Sequence, residues 1–136
     1  MKSRDRSLAQ EWLERAKSDF LYAQAGEKET GQHHVTCFLC HQSAEKLLKG
    51  LLVLADEVPQ KTHHLAFLIS KVASHYPSFA EFKREIRRLD KFYVPSRYPD
   101  NTLLEFTPED AKEALLTVKK MTQLAETEVK SVLKSR

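Results

Sequence analysis

Three short stretches carry side chains whose types and spacing could do chemistry. In "CHQSAEKLLKGLL" (40–52), Gln42, Glu45, Lys46 and Lys49 recur at i, i+3, i+4 and i+7, which stacks them along one stripe of a helix. Two ammonium groups there could meet phosphate while Gln42 and Glu45 fix a base or sugar. The same four could equally form a solvated outer face, because exposed Glu–Lys pairs are common and contribute only about a few tenths of a kcal/mol. "KTHHL" (61–65) sets His63 and His64 at the start of a helix, under the positive end of its macrodipole. Imidazole can exchange a proton near pH 7; the plain alternative is one packed and one solvated histidine. In "SRYPD" (96–100), Arg97, Tyr98 and Asp100 surround Pro99 in a segment that Pro95 and Pro99 hold extended. A guanidinium can clamp phosphate and a tyrosine ring can stack on a base. As a structural loop, the same segment would plug the bundle end with Tyr98 and pair Arg97 with a carboxylate.

Other chemistry finds little support. His33, Cys37, Cys40 and His41 project to one side of a single helix, and residues on one helix cannot easily surround a tetrahedral ion. No βαβ pattern accompanies the Cys-x-x-Cys, so Cys37 and Cys40 read as buried small hydrophobes rather than a redox pair. No Ser or Cys nucleophile has a local signature, and three glycines could hardly build a phosphate-cradling loop. The sequence points to no metal, no cofactor and no catalytic residue.

Five segments of helical period position these stretches. The first runs from about Ser7 to Ala25, with Leu8, Trp12, Ala16, Phe20 and Ala23 on one stripe and Asp19 on the same side. "GEKETGQ" (26–32) breaks it. The second runs from His33 to Ala55, with Cys37, Cys40, Ala44, Leu47, Leu48, Leu51 and Leu54 on one broad face. The polar stripe lies opposite, continued at its ends by Val35, Phe38 and Val53. Such a helix is covered on both sides, and a second subunit is one natural cover. Thr62 N-caps a third helix through His75, and Ser78 with Glu81 makes a capping box for a fourth, Phe79 to about Val94. After the irregular "PSRYPDNTLLEF" (95–106), Thr107 caps the last helix, with Pro108 at its first position. The apolar side of that helix comes from Leu115, Val118, Met121, Leu124 and Ala125.

Connections this short favour antiparallel neighbours, so the expected fold is all-α: an up-and-down helical bundle in one domain spanning residues 1–136. The chain has 41% hydrophobic and 30% charged residues, which argues against disorder, and its few glycines and prolines leave little for a many-stranded sheet. A net charge of +3 permits a polyanionic ligand without implying one. No apolar run reaches membrane-spanning length, and the N-terminus lacks an apolar leader core, so a soluble cytoplasmic protein is expected.

Taken in order, "WLERAKSDFLYA", "FLCHQSAEKLLKGLL", "VPQKTHHLAFL" and "YVPSRYPD" resemble the HEPN domain, the small helical domain named for nucleotide binding in prokaryotes and higher eukaryotes. The resemblance implies five helices built on a four-helix up-and-down bundle. It implies a homodimer, often paired with a minimal nucleotidyltransferase as a toxin–antitoxin or nucleotide-transfer module. By position it implies a ligand-binding set of Asp19, Gln42, Glu45, Lys46, Lys49, His63, Arg97, Tyr98 and Asp100, with Pro99 shaping the loop. One departure stands out. HEPN ribonucleases carry an Arg followed four to six residues later by His, and no arginine here precedes a histidine at that distance. The expected function is therefore a non-catalytic nucleotide- or nucleic-acid-binding module. A metal-independent ribonuclease using His63 or His64 with Arg97, and a purely structural dimeric adaptor, stay open as alternatives.

Overall fold

A computed structural model describes residues 3–93 and 106–134. Among these residues the chain is helical, with no strand: α1 (Ser3–Thr30), α2 (His33–Leu54), α3 (Leu65–His75), a 3-10 segment (Pro77–Phe82) running into α4 (Lys83–Asp90), and α5 (Pro108–Lys134). The helices form an up-and-down bundle with one hydrophobic core drawn from all of them. No described helix is long and apolar enough to cross a membrane.

The first helix is longer than its sequence pattern suggests. Gly26 sits inside α1, where glycine costs about 1 kcal/mol but does not end the helix. Termination comes at Gly31, whose φ of 63° is open to glycine, and whose N–H returns to the Glu27 carbonyl at 3.0 Å. Glu27 then fastens the turn, accepting from Thr36 Oγ1 and meeting His33 Nδ1, both at 2.7 Å. The buried stripe of α1 is Ala9, Ala16, Phe20 and Ala23, while Leu8, expected inside, is 44% exposed. Alanines seven residues apart let α2 approach closely. A Cβ on Gly50 would come within 3.0 Å of Trp12 and Leu13, and Ser43 Oγ donates to the Ala16 carbonyl at 2.6 Å.

α2 is the central element, buried on nearly every side. The predicted apolar face is fully inside, and Thr36, Ser43, Glu45, Leu52 and Val53 are buried as well. Its cover is supplied by the same chain, through α1, α3, α4 and α5. Cys37 and Cys40 carry free thiols, both buried. Burial first, then the Asp110 and Glu27 charges, pushes the Cys37 thiol up to about 12, so both cysteines serve as small apolar groups.

Two predicted caps are replaced. The α3 helix begins at Leu65, not at His63, because its first amides are capped from a distance. Asp90, at the end of α4, accepts from Leu65 N at 2.8 Å and Ala66 N at 3.0 Å. Thr62 Oγ1 instead accepts from His64 N within the loop. Ser78 does not box with Glu81, and the stretch from Pro77 is 3-10; Ser78 Oγ donates to Glu128 on α5 at 3.1 Å. The α5 start is as expected and reciprocal: Thr107 Oγ1 accepts from Asp110 N, and Asp110 Oδ2 accepts from Thr107 N, both at 3.1 Å.

Candidate functional site

The polar stripe of α2 faces α1 and the loop before α3. Lys46 Nζ lies 2.6 Å from Asp19 Oδ2 across the α1–α2 contact. One position back, Glu45 is buried and its two oxygens are separately used. Oε2 accepts from Lys49 Nζ at 2.9 Å, and Oε1 meets His63 Nδ1 at 2.9 Å. Lys49 is itself only 9% exposed along its side chain, and its ammonium sits 5.7 Å from the centre of the Trp12 ring. Four of the residues singled out in the sequence, Asp19, Glu45, Lys46 and Lys49, are thus spent in two internal ion pairs. Gln42 is half-buried, and its Oε1 has no hydrogen-bond partner among the described residues.

His63 is the outward-facing member of this chain of contacts. Its side chain remains 55% exposed while Nδ1 is tied to Glu45. In the neutral ring that bond places the proton on Nδ1 and the lone pair on Nε2. The ring stacks on Tyr93, with centroids 4.7 Å apart and planes 16° from parallel. His41, buried on α2, lies 4.9 Å from the same Tyr93 ring. Its Nε2 reaches Asp90 Oδ1 at 3.3 Å, and its Nδ1 has no partner among the described residues.

Asp90 therefore joins three elements: the end of α4, the start of α3 and the middle of α2. Burial acts to raise its carboxyl, but hydrogen bonds from His41 and from the Ala66 and Leu65 amides outweigh it and hold the group below the usual carboxylate range. This tie sets the loop from which His63 projects.

Of the nine predicted ligand-binding residues, Glu45, Lys49 and His63 are in direct contact, and Asp19 with Lys46 forms a neighbouring pair. Arg97, Tyr98 and Asp100, with Pro99, lie outside the described residues. His64 is exposed and takes no part in this cluster. Sequence reasoning missed Tyr93 and Asp90, and weighed His41 only as a metal ligand. Tyr93 lies at the edge of the "YVPSRYPD" stretch, whose more obvious aromatic is Tyr98. The His41–Asp90 contact spans 49 residues, beyond any local pattern.

A second feature has no counterpart in the sequence reading. Lys83, Arg87 and Lys91 recur every four residues along α4 and just past its end, all exposed and without an ion pair among the described residues. Arg88, on another face of α4, is committed to α5 through Glu113 at 2.7 Å and Asp110 at 4.0 Å.

No curated protein matches the chain. Among solved structures it is similar to TT1696 from Thermus thermophilus, with 29% identity and a TM-score of 0.79 over 88% of this chain and 96% of that one. It is also similar to ST0689, an archaeal HEPN homologue, with 26% identity and a TM-score of 0.71 over 89% of this chain and 97% of that one. The family model for the HEPN domain matches residues 9–128, nearly the whole bundle including α2 and the His63 loop, and on that match the chain belongs to the HEPN domain family.

Proposed function

We propose that this protein is a nucleotide- or nucleic-acid-binding helical module whose ligand meets His63. The observation that carries the reading is the placement of His63: a half-exposed planar ring, stacked on Tyr93 and anchored from below by a buried carboxylate. A side chain held this firmly while open to solvent is preorganised for a partner. Lys49 acts through Glu45 rather than by touching ligand, since it is buried and paired. Phosphate contacts fall instead to Lys46 at the edge of the stripe, to the Lys83–Arg87–Lys91 face, and to Arg97. Arg97 follows Tyr93 by four residues in the sequence. Tyr98 then offers a stacking face and Asp100 an acceptor for base or sugar. In keeping with the family resemblance, the module works as a homodimer beside a minimal nucleotidyltransferase. Exposed Leu21 and Tyr22 on α1 are consistent with self-association.

The direct test is titration of the full chain with nucleotides and short single-stranded RNA, monitored by fluorescence anisotropy or calorimetry. Saturable binding that weakens with added salt and with His63→Ala is expected. Binding unchanged by His63→Ala would move the site elsewhere.

A second reading has one specific observation in its favour. A carboxylate that fixes Nδ1 and leaves Nε2 as acceptor is the arrangement of a general base. His63 with Glu45 would then serve acid–base transfer at a ribose 2′-hydroxyl, with Arg97 on the phosphate, in a chain that lacks the usual Arg–His spacing. This predicts cleavage of single-stranded RNA in the presence of a chelator, abolished by His63→Ala with the helical circular dichroism retained. RNA left intact after long incubation removes this reading and leaves the first untouched.

A further inference from the structure

We propose that the cleft between α4 and α5 is a second binding site, for a small zwitterionic ligand carrying a cationic nitrogen and an anionic group. The cleft has a volume of about 420 Å³, within the range of small-molecule sites, and none of the residues of the His63 cluster lines it. Its floor is apolar, from Phe82, Leu89 and Ala114, all buried.

The charges around that floor sort into two groups. Arg88 is already satisfied by Glu113 and Asp110, which ties α4 to α5 at the mouth. Glu81, Glu85, Arg84 and Lys120 also line the cleft, and Glu81, Arg84 and Lys120 have no ion pair among the described residues. Glu85 Oε2 is withdrawn from solvent and has no hydrogen-bond partner among the described residues. A buried carboxylate oxygen without a donor is costly, and an N–H group delivered by a ligand would offset that cost. One buried acceptor without a donor, and at the rim two cations and the Glu81 carboxylate without an ion pair among the described residues, surround an apolar floor and suit a ligand bearing both charges. An amino acid with a cationic side chain has that chemistry, and so does an aminoalkyl phosphate. This inference stands apart from the His63 reading.

Calorimetric titration of the full chain with L-arginine and with phosphoethanolamine tests it and separates a carboxylate-bearing from a phosphate-bearing ligand. One of the two should bind saturably at one site, at least about tenfold more tightly than agmatine or inorganic phosphate alone, because each of those supplies only half of the complement. Glu85→Gln should weaken that binding about tenfold or more, the loss of one charge-assisted hydrogen bond. Arg84→Ala, an exposed change that leaves the core intact, should weaken it several-fold, and His63→Ala should leave it unchanged. Absence of saturable binding by both probes at millimolar concentration, or equal binding by the wild type and both cleft variants, overturns the proposal.

Discussion

The charged stripe of α2 and the charged stripe of α4 look alike on a helical wheel, yet they differ in what holds them. On α2, Glu45, Lys46 and Lys49 are consumed by partners within the chain, and two of the three are buried. On α4, Lys83, Arg87 and Lys91 are exposed and uncommitted among the described residues. The first stripe is internal scaffolding that opens outward at His63 and at the partly exposed Lys46. The second is a surface whose counter-charge must come from elsewhere. Buried charges hold position at a cost that only complete pairing offsets, whereas exposed cations add little to stability and act at a distance on anions.

The sharpest way to break this contrast is to remove Glu45. Glu45→Ala would leave Lys49 buried without a counter-ion and His63 without its anchor. Removing one partner from a buried pair costs about 3–5 kcal/mol. Urea denaturation should therefore show a large fall in midpoint at little change in slope, while Lys83→Ala should stay within about 0.5 kcal/mol of wild type. Equal, small effects at both positions would mean that Glu45 is solvated in solution and that the two stripes are the same kind of feature.

Asp90 gives a smaller effect with a definite pH signature. Its folded carboxyl is held below the usual carboxylate range by His41 and the α3 amides, with burial opposing. A depressed folded value means that the stabilisation is fully present above the unfolded carboxylate range, around pH 4, and is lost as pH falls through the lower folded value. Asp90→Asn keeps one acceptor oxygen but loses the charge and the second acceptor, so it should cost about 1.5–3 kcal/mol near neutrality, as for loss of a hydrogen bond to a charged group. The gap from wild type should close on acidification into the region below about pH 4. Glu57 has the same sign, lowered first by its hydrogen bond from His75, then by Lys71, again with burial opposing. It is too exposed for a comparable stability effect. A wild-type advantage that persists unchanged into strong acid would mean that Asp90 contributes by shape alone.

How much of this was legible in the sequence follows the same division. Periodicity exposes local regularity, so the core face of α2 and the helical class can be read from it, and Thr107 before Pro108 marks the α5 cap, though not the return bond from Thr107 N to Asp110. Gly26 breaks the helix in the sequence pattern but not in the fold, where α1 runs on to Thr30 and Glu27 is tied to His33 and Thr36 on α2, against about 1 kcal/mol of propensity. The caps at Thr62 and Ser78 failed because a distant carboxylate, Asp90, and a partner on α5, Glu128, supplied other solutions. Within the site, Glu45 and Lys49 announced themselves by i, i+4 spacing. Their burial did not, since an exposed and an interior ion pair have the same spacing. Tyr93 and His41 come together only through folding.

The α4 stripe offers the smallest effect on stability and the cleanest separation of stability from binding. Replacing Lys83, Arg87 and Lys91 together with alanine touches no described ion pair, and alanine suits an exposed helix position, so the denaturation midpoint should move little. If this face meets phosphates, the dependence of log affinity for single-stranded RNA on log salt should flatten by about 0.7 for each phosphate no longer neutralised. Three such phosphates would remove a slope of about 2, measurable by anisotropy between low and moderate salt. A slope unchanged by the triple replacement would assign the electrostatic part of binding to Lys46 and Arg97 instead. The contrast between the stripes would then lie only in how each is stabilised, because α2 would be supplying both scaffold and ligand contact.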